Sequence, residues 1–568
     1  MAKPRISRRL KHSSIERKRF GETTSGNQIV FTIDGEETFE LIYDAIFRAK
    51  SSVYIAGYDL DPALNFVRDG NSTTNIDINR HTFSSRSKSL KLTSLKIDSR
   101  TLGNDRSKSL SISDSTKNRQ NLISSVEDFT IEQHPEGTRA HKRFQELIIE
   151  KARKGVNVRI IVWQPRLPLR ILPGADERGL DGRAEDVEVL NKLAKKYGID
   201  KNLIVKIDNT SPTLSSAHHE KIIVVDNKVG FCGGFDLSRG KWDTSRHSYS
   251  DPQRDQGSEP WHDFHAMLKG PIVWDLAYHF NQRWAYHGVK DERMIQAMDL
   301  KPVDSLYSGD EGDTKVVALR TWEGTDRDGG ILAWYTNTIR KAKTSIYIEN
   351  QFPFQNEFIT KILCKRLKEQ KNLRVIIVGP MEPNLPGLIG SILSKTSVND
   401  VNKHLQWIRD AGDSGRRVGT YSLVSQDKKS KKMRQIYVHS KLLIVDDKWI
   451  TVGSANTDKN GFKDSTEVNV GITSGSLARE LRIRMWSEHM GLLEKSTKNS
   501  TIGQLADRSS IEDFSRGFEI WKKIAHHNGS VIPQKSNIIG HIYYYNFEEM
   551  NLPPPYPEAK GGSKFSIF

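Results

Sequence analysis

The sequence predicts an α/β fold: two pseudo-two-fold-related halves, each a mixed β-sheet flanked by helices, with an active site at their interface. Three observations predict it. "HHEKIIVVDNKVGFCGG" (218–234) and "VHSKLLIVDDKWITVGSAN" (438–456) share one pattern: His, any residue, Lys, four residues, Asp, six residues, then Gly-Gly or Gly-Ser. Short Val- and Ile-rich runs also come in pairs. "SSVYIAGYDL" (51–60) matches "TSIYIENQFP" (344–353), and "KGVNVRIIVW" (154–163) matches "KNLRVIIVGP" (371–380). Each reads as a strand buried on both faces. Helical spacing, ending in basic residues, recurs in "TRAHKRFQELIIEKARKG" (138–155) and "GILAWYTNTIRKAK" (330–343). Strand and helix alternating twice over is the pattern of an α/β chain.

Spacing locates an insertion. Val158 to Lys221 spans 63 positions and Val375 to Lys441 spans 66, but Tyr54 to Val158 spans 104 where Tyr347 to Val375 spans only 28. The excess falls in 68–137, a stretch rich in Ser, Thr, Asn, Lys and Arg and too polar to pack, so it is expected to be disordered. The predicted organisation is a disordered basic arm (1–28), a first half (29–300) carrying that insertion, a second half (315–530) and a C-terminal tail (531–568).

A chain of 568 residues exceeds one simple core and suits two fused halves. Its formal net charge of +16 calls for an anionic partner, either nucleic acid or an acidic membrane surface. Two cysteines, Cys232 and Cys364, cannot build a disulfide framework or a zinc site, and a reducing, intracellular compartment is favoured. No run of 18 apolar residues suggests a membrane span, and the charged start lacks the apolar core of a secretory signal. The basic run "DKKSKKMRQ" (427–435) is a candidate phosphoinositide contact.

The duplicated motif has a chemical reading of its own. Side chains two apart on a strand share a face, so His219 and Lys221, and likewise His439 and Lys441, are expected to point together. Two imidazoles, two ammonium groups and Asn456 around one cavity suit a phosphodiester. The cations and the amide hold the non-bridging oxygens. One His attacks phosphorus; the other protonates the leaving oxygen and then activates water. No metal or other cofactor is required, because side chains supply the positive charge.

On these residues the chain resembles the phospholipase D superfamily, whose mark is a duplicated His-Lys-Asp motif. "AHHEKIIVVD", "GGFDLSRGKWDT", "WHDFHAMLKGPIVWDLAYHFNQRW", "YIENQF" and "RIRMWSEHMG" are similar to segments of its phosphatidylcholine-type members. The resemblance spans residues 45–67 and 138–495. The C2 domain of the plant type and the PX and PH domains of the animal type are not expected, since only about 45 residues precede the first strand quoted above. The resemblance implies a phosphohistidine mechanism with His219 as nucleophile and His439 as acid, then base. It also implies that a downstream acid, Asp263 or Glu467, faces each imidazole. Asp226 and Asp446 complete the expected site set, as ties for the loop after each strand. The implied activity is hydrolysis of phosphatidylcholine or a related glycerophospholipid to phosphatidic acid, with transfer to alcohols, by a cytoplasmic enzyme peripherally bound to membranes. Because both motifs lie on one chain, a monomer suffices. A phosphodiesterase acting on nucleic acid and a silent lipid-binding scaffold are the alternatives. The five segments disfavour the first, and the intact residue set disfavours the second.

Overall fold

A computed structural model of the chain describes residues 20–68, 143–165, 182–211, 216–286, 314–322, 330–381, 387–493, 509–546, 548 and 551–555. The expected insertion, apart from Arg68, and residues 1–19 of the expected arm lie outside these.

The first sheet has seven strands: β1 (Gln28–Ile33), β2 (Ser52–Gly57), β3 (Asn157–Trp163), β4 (Leu203–Asp208), β5 (Ile222–Val225), β6 (Val229–Gly233) and β8 (Phe264–Lys269). Their spatial order is β1-β8-β6-β5-β2-β3-β4. The second sheet contains β9 (Lys315–Thr321), β10 (Ser345–Asn350), β11 (Arg374–Val378), β12 (Val418–Gln426), β13 (Met433–Val438), β14 (Lys441–Val445), β15 (Trp449–Gly453) and β16 (Glu467–Thr473). Read from its β9 edge, it runs β9-β16-β15-β14-β10-β11-β12-β13. Seven strands therefore correspond one to one between the halves, down to parallel β2–β3–β4 and β10–β11–β12 beside antiparallel hairpins. The duplication read in the sequence is a duplication of topology.

Nine α-helices are described. α1 (Asp34–Phe47), α2 (Phe144–Arg153), α3 (Gly182–Lys196) and α4 (Ile272–Tyr286) belong to the first half. α5 (Gly330–Lys341), α6 (Glu357–Glu369), α7 (Gly387–Ala411), α8 (Gly475–His489) and α9 (Phe514–Val531) belong to the second. The start of α6 shows local causation: the Asn356 side chain accepts from the N–H groups of Phe358 and Ile359, satisfying two donors that have no partner inside the helix.

Strand periodicity assigns the cores. On β14, Leu442 and Ile444 face a cluster that joins both sheets, together with Tyr54, Cys232 and Phe264 of the first half and Val452 and Val468 of the second. Leu443 and Val445 face the opposite way, onto Ile331, Tyr335, Leu363 and Ile408 of the covering helices. Both faces are buried, which is why "LLIV" is apolar without alternation. Cys232, on β6, is fully buried in this core.

Two structural details depart from expectation. The segment after 531 is not simply a tail: Ile542–Tyr544 form β17, antiparallel to β12, with all three residues buried. Three consecutive apolar side chains find a sheet edge to cover. A two-residue strand, β7 (Trp261–His262), leaves the first half and pairs in parallel with β13 of the second. This pairing stitches the seam where the motif residues meet.

Candidate active site

The histidines do not sit within strands. β5 begins only at Ile222, so His219 and Lys221 occupy the segment leading into it, and His439 precedes β14, which starts at Lys441. Each segment is fixed across the seam instead. His219 N–H donates to Thr466 O at 2.8 Å, and His439 N–H donates to His262 O at 2.8 Å. Thr466 and His262 each immediately precede one of the expected acids.

The acids consequently cross. His219 Nδ1 lies 3.0 and 3.1 Å from the two oxygens of Glu467, in the other half. His439 Nδ1 lies 2.6 Å from Asp263 Oδ2, again in the other half. Neither half can orient its own imidazole. With each Nδ1 on a carboxylate, Nε2 is left to react.

The lysines close the site. Lys221 Nζ donates to His219 O at 2.8 Å and lies 3.2 Å from Asp236 Oδ2. Lys441 Nζ donates to His439 O and, at 3.1 Å, to Gln351 Oε1. Asn456 Nδ2 reaches the same Gln351 oxygen at 3.5 Å, and its buried Oδ1 accepts no hydrogen bond. Aromatic rings frame the imidazoles. Tyr58 stands edge-on to His219 at 5.0 Å, stacked on Trp163 at 4.9 Å, while Trp261 lies 5.0 Å from His439. Lys241 Nζ sits 3.6 Å over the Trp261 ring.

Electrostatics follow from this crowding. Burial, then Lys221 and Lys441, hold His219 well below the usual histidine range. Burial, then Lys441, Lys241, Lys221 and His219 itself, do the same to His439. Both imidazoles are neutral near pH 7, which leaves a lone pair for attack. Burial lifts Glu467 to about 8, against a hydrogen bond from Ser454. Burial also pushes Lys441 down to about 7, with Lys221 acting in the same direction.

Seven of the nine expected residues come together: His219, Lys221, His439, Lys441, Asn456, Asp263 and Glu467. Asp226 and Asp446 do not join them. About four strand residues at roughly 3.3 Å each separate each aspartate from the lysine of its motif, a length on the order of 15 Å. Their carboxylates pin the starts of neighbouring strands. Asp226 accepts from the N–H groups of Lys50, Ser51 and Ser52, and Asp446 from those of Lys343, Thr344 and Ser345. Burial opposes the charge on Asp226, but these backbone donors hold its carboxyl below the usual range. Each aspartate also opens a hairpin turn with two successive positive φ angles (Asp226 and Asn227; Asp446 and Asp447), a conformation Asp and Asn tolerate. Asp446→Ala should therefore lower stability by about 1–3 kcal/mol, by leaving three backbone N–H groups and the Thr344 hydroxyl without their acceptor. Turnover at 25 °C should stay within about twofold of wild type, and a thermal melt beside an activity assay separates the two effects.

Sequence reasoning missed Asp236, Gln351, Tyr58, Trp261 and Lys241 as site residues. Three of them had a signal. Asp236 occupies the place of Asn456 in the repeat, three positions after Gly233 as Asn456 follows Gly453, and Tyr58 and Gln351 are equivalent positions just past β2 and β10.

Two family models match the chain: "Phospholipase D" over residues 124–316 and "Cardiolipin synthase, PLD-like domain" over residues 335–488. The chain belongs to the phospholipase D superfamily. It is 25% identical over 495 residues to phospholipase D alpha 1 of Brassica oleracea var. capitata, covering 65% of this chain and 60% of the relative. It is 26% identical over 480 residues to phospholipase D alpha 2 of Arabidopsis thaliana, covering 62% and 59%. The chain thus spans about three fifths of the length of these curated relatives. Among solved structures, a phosphatidylserine synthase of Haemophilus influenzae Rd KW20 aligns at 10% identity and a TM-score of 0.49, over 87% of this chain and 94% of that one.

Proposed function

We propose that the protein is a phospholipase D, which hydrolyses phosphatidylcholine or a related glycerophospholipid to phosphatidic acid and the free headgroup. The observation that carries this reading is the pair of crossed imidazole–carboxylate contacts with a lysine beside each. Similarity to plant phospholipases D supports the lipid assignment.

In the proposed reaction the diester phosphate lies between Lys221 and Lys441, with Asn456 on a non-bridging oxygen. Its negative charge offsets the lysines that depress both imidazoles, so His439 regains the capacity to hold a proton. His219 Nε2 attacks phosphorus while His439 Nε2–H protonates the headgroup oxygen, and that P–O bond breaks. A phosphatidyl-histidine remains. His439, now neutral, takes a proton from water, whose oxygen attacks phosphorus; the P–N bond breaks and phosphatidic acid leaves. An alcohol in place of water gives a phosphatidyl-alcohol. Glu467 and Asp263 stabilise the positive charge each ring carries in turn.

Among the described residues no helix is long and apolar enough to cross a membrane. Access to a bilayer surface is assigned to the basic hairpin of the second half, where Lys428, Lys429 and Lys432 are exposed between β12 and β13.

The test uses purified full-length protein and phosphatidylcholine vesicles, with and without ethanol, analysed by lipid mass spectrometry. Phosphatidic acid that gives way to phosphatidylethanol when ethanol is added is the expected result. No lipid product, with cleavage of single-stranded DNA or RNA instead, would overturn it in favour of a nuclease.

A further inference from the structure

We propose that Arg283 is a positioning residue for the nucleophile: through Glu220 and Asp208 it clamps both chain neighbours of His219. The assignment rests on the phospholipase D reaction above, with His219 as the attacking group.

His218 and Glu220, on either side of His219, belong to one buried ionic network. Arg283, near the end of α4, is its hub. Its Nη1 donates to Glu220 Oε1, and its Nη2 and Nε donate to Asp208 Oδ2 at 2.7 and 3.2 Å. Asp208 ends β4, and the same oxygen lies 3.3 Å from His218 Nε2. Arg283, Asp208, Glu220 and His218 are each at most 2% exposed. The chain itself closes the ring, from His218 through His219 to Glu220. His279, one turn before Arg283 on α4, places its Nε2 3.4 Å from Glu220 Oε1.

The network also reaches the acid that orients the nucleophile. His218 Nδ1 lies 2.9 Å from Thr466 Oγ1. Thr466 O accepts the N–H groups of His219 and Glu220, at 2.8 and 3.1 Å, and the next residue is Glu467. One set of contacts therefore holds His219 in register with its carboxylate.

The repeat sharpens the point. The positions equivalent to His218 and Glu220 are Val438 and Ser440. Val438 packs in the apolar core, and the buried Ser440 hydroxyl makes no hydrogen bond. Neither neighbour of His439 carries charge, so that histidine has no ionic clamp of this kind. The asymmetry matches the division of labour. A nucleophile must meet phosphorus at a set distance, and a misplacement of about 1 Å costs on the order of 100-fold. The acid–base histidine serves two oxygens in turn, the headgroup's and then water's. Stability is a poor reason for the network, because desolvating buried charges offsets their attraction. A guanidinium fork supplies geometry instead: it fixes the separation of two carboxylates, as a lysine ammonium does not.

The test isolates attack in full-length His439→Ala, using a nitrophenyl phosphodiester whose nitrophenolate needs no acid to leave. The burst rate at saturating ester then reports His219 alone. Adding Arg283→Lys, which keeps the charge and loses the fork, is expected to slow the burst about 100-fold with its amplitude still near one equivalent. Adding Glu220→Ala should do the same. Glu220→Gln, whose amide oxygen still accepts from Arg283, should restore the rate to within about fivefold. Melting temperatures are taken beside the rates. A lower melting temperature with an unchanged burst rate in the folded Arg283→Lys variant would make the network merely structural and overturn the assignment. If that variant does not fold, the Glu220 pair decides: slowing in Glu220→Ala with rescue in Glu220→Gln supports the clamp, and parental burst rates in both overturn it. No burst in the His439→Ala parent would instead overturn the covalent reaction on which the assignment rests.

Discussion

Replacing either motif histidine is expected to abolish lipid turnover, by about 10⁴-fold or more, but a nitrophenyl phosphodiester should tell the two variants apart. A nitrophenolate leaves without help from an acid. In His439→Ala, His219 can still attack, so about one equivalent of nitrophenolate should appear in a burst and then stall, because no base remains to activate water. The stalled protein should carry the phosphoryl adduct on His219 in its intact mass. In His219→Ala neither burst nor adduct should form. Fold integrity is read from the melting temperature, since both side chains are only partly exposed and sit on segments held by backbone hydrogen bonds to Thr466 and His262. The reverse pattern would make His439 the nucleophile. A burst in neither variant would sink the covalent scheme.

The symmetry of the two halves explains what could be read from the chain and what could not. Local patterns were legible: apolar runs buried on both faces, paired in order, became β2 with β10 and β3 with β11. The extra length between β2 and β3 was legible as a mismatch in spacing, and most of its residues lie outside those described. The strand assignment of His-x-Lys was not, because the bond that holds His219 comes from Thr466, a residue 247 positions away, and pattern reading has no access to such a partner. For the same reason the two acids could be named but not allotted. Glu467 and Asp263 each lie downstream of a motif, and only the parallel contact between His218 and Thr466 and the pairing of β7 with β13 show that each serves the opposite half. Asp236 was within reach, since the repeat places it at Asn456. The cluster of Asp34, His247, His262 and Glu488 was not. Its members are buried against one another yet spread over more than 450 positions, so no local pattern brings them together.

The crossed allotment makes its own prediction, and it uses the same pair of substrates. Glu467→Gln keeps the shape but removes the acid that orients the His219 ring and can ionise to balance the positive charge the ring gains on attack. The loss should be about 10³–10⁴-fold, or roughly 4–5 kcal/mol of barrier. Because His219 acts on phosphorus whatever the leaving group, this loss should be as large for the nitrophenyl ester as for phosphatidylcholine. Asp263→Asn acts on His439, the acid and later the base. It should slow phosphatidylcholine cleavage to a similar extent yet leave the nitrophenolate burst nearly intact, with the defect confined to the steps after it. If each acid served the histidine of its own half, the two variants would exchange phenotypes. A burst spared in Glu467→Gln and lost in Asp263→Asn would therefore refute the crossed contacts, even though both variants would be equally inactive on lipid. The outcome also bears on evolution of the fold. A half that depends on its partner for the carboxylate behind its nucleophile cannot be catalytically competent alone, so duplication into one chain converts what would be a dimer requirement into an intramolecular one.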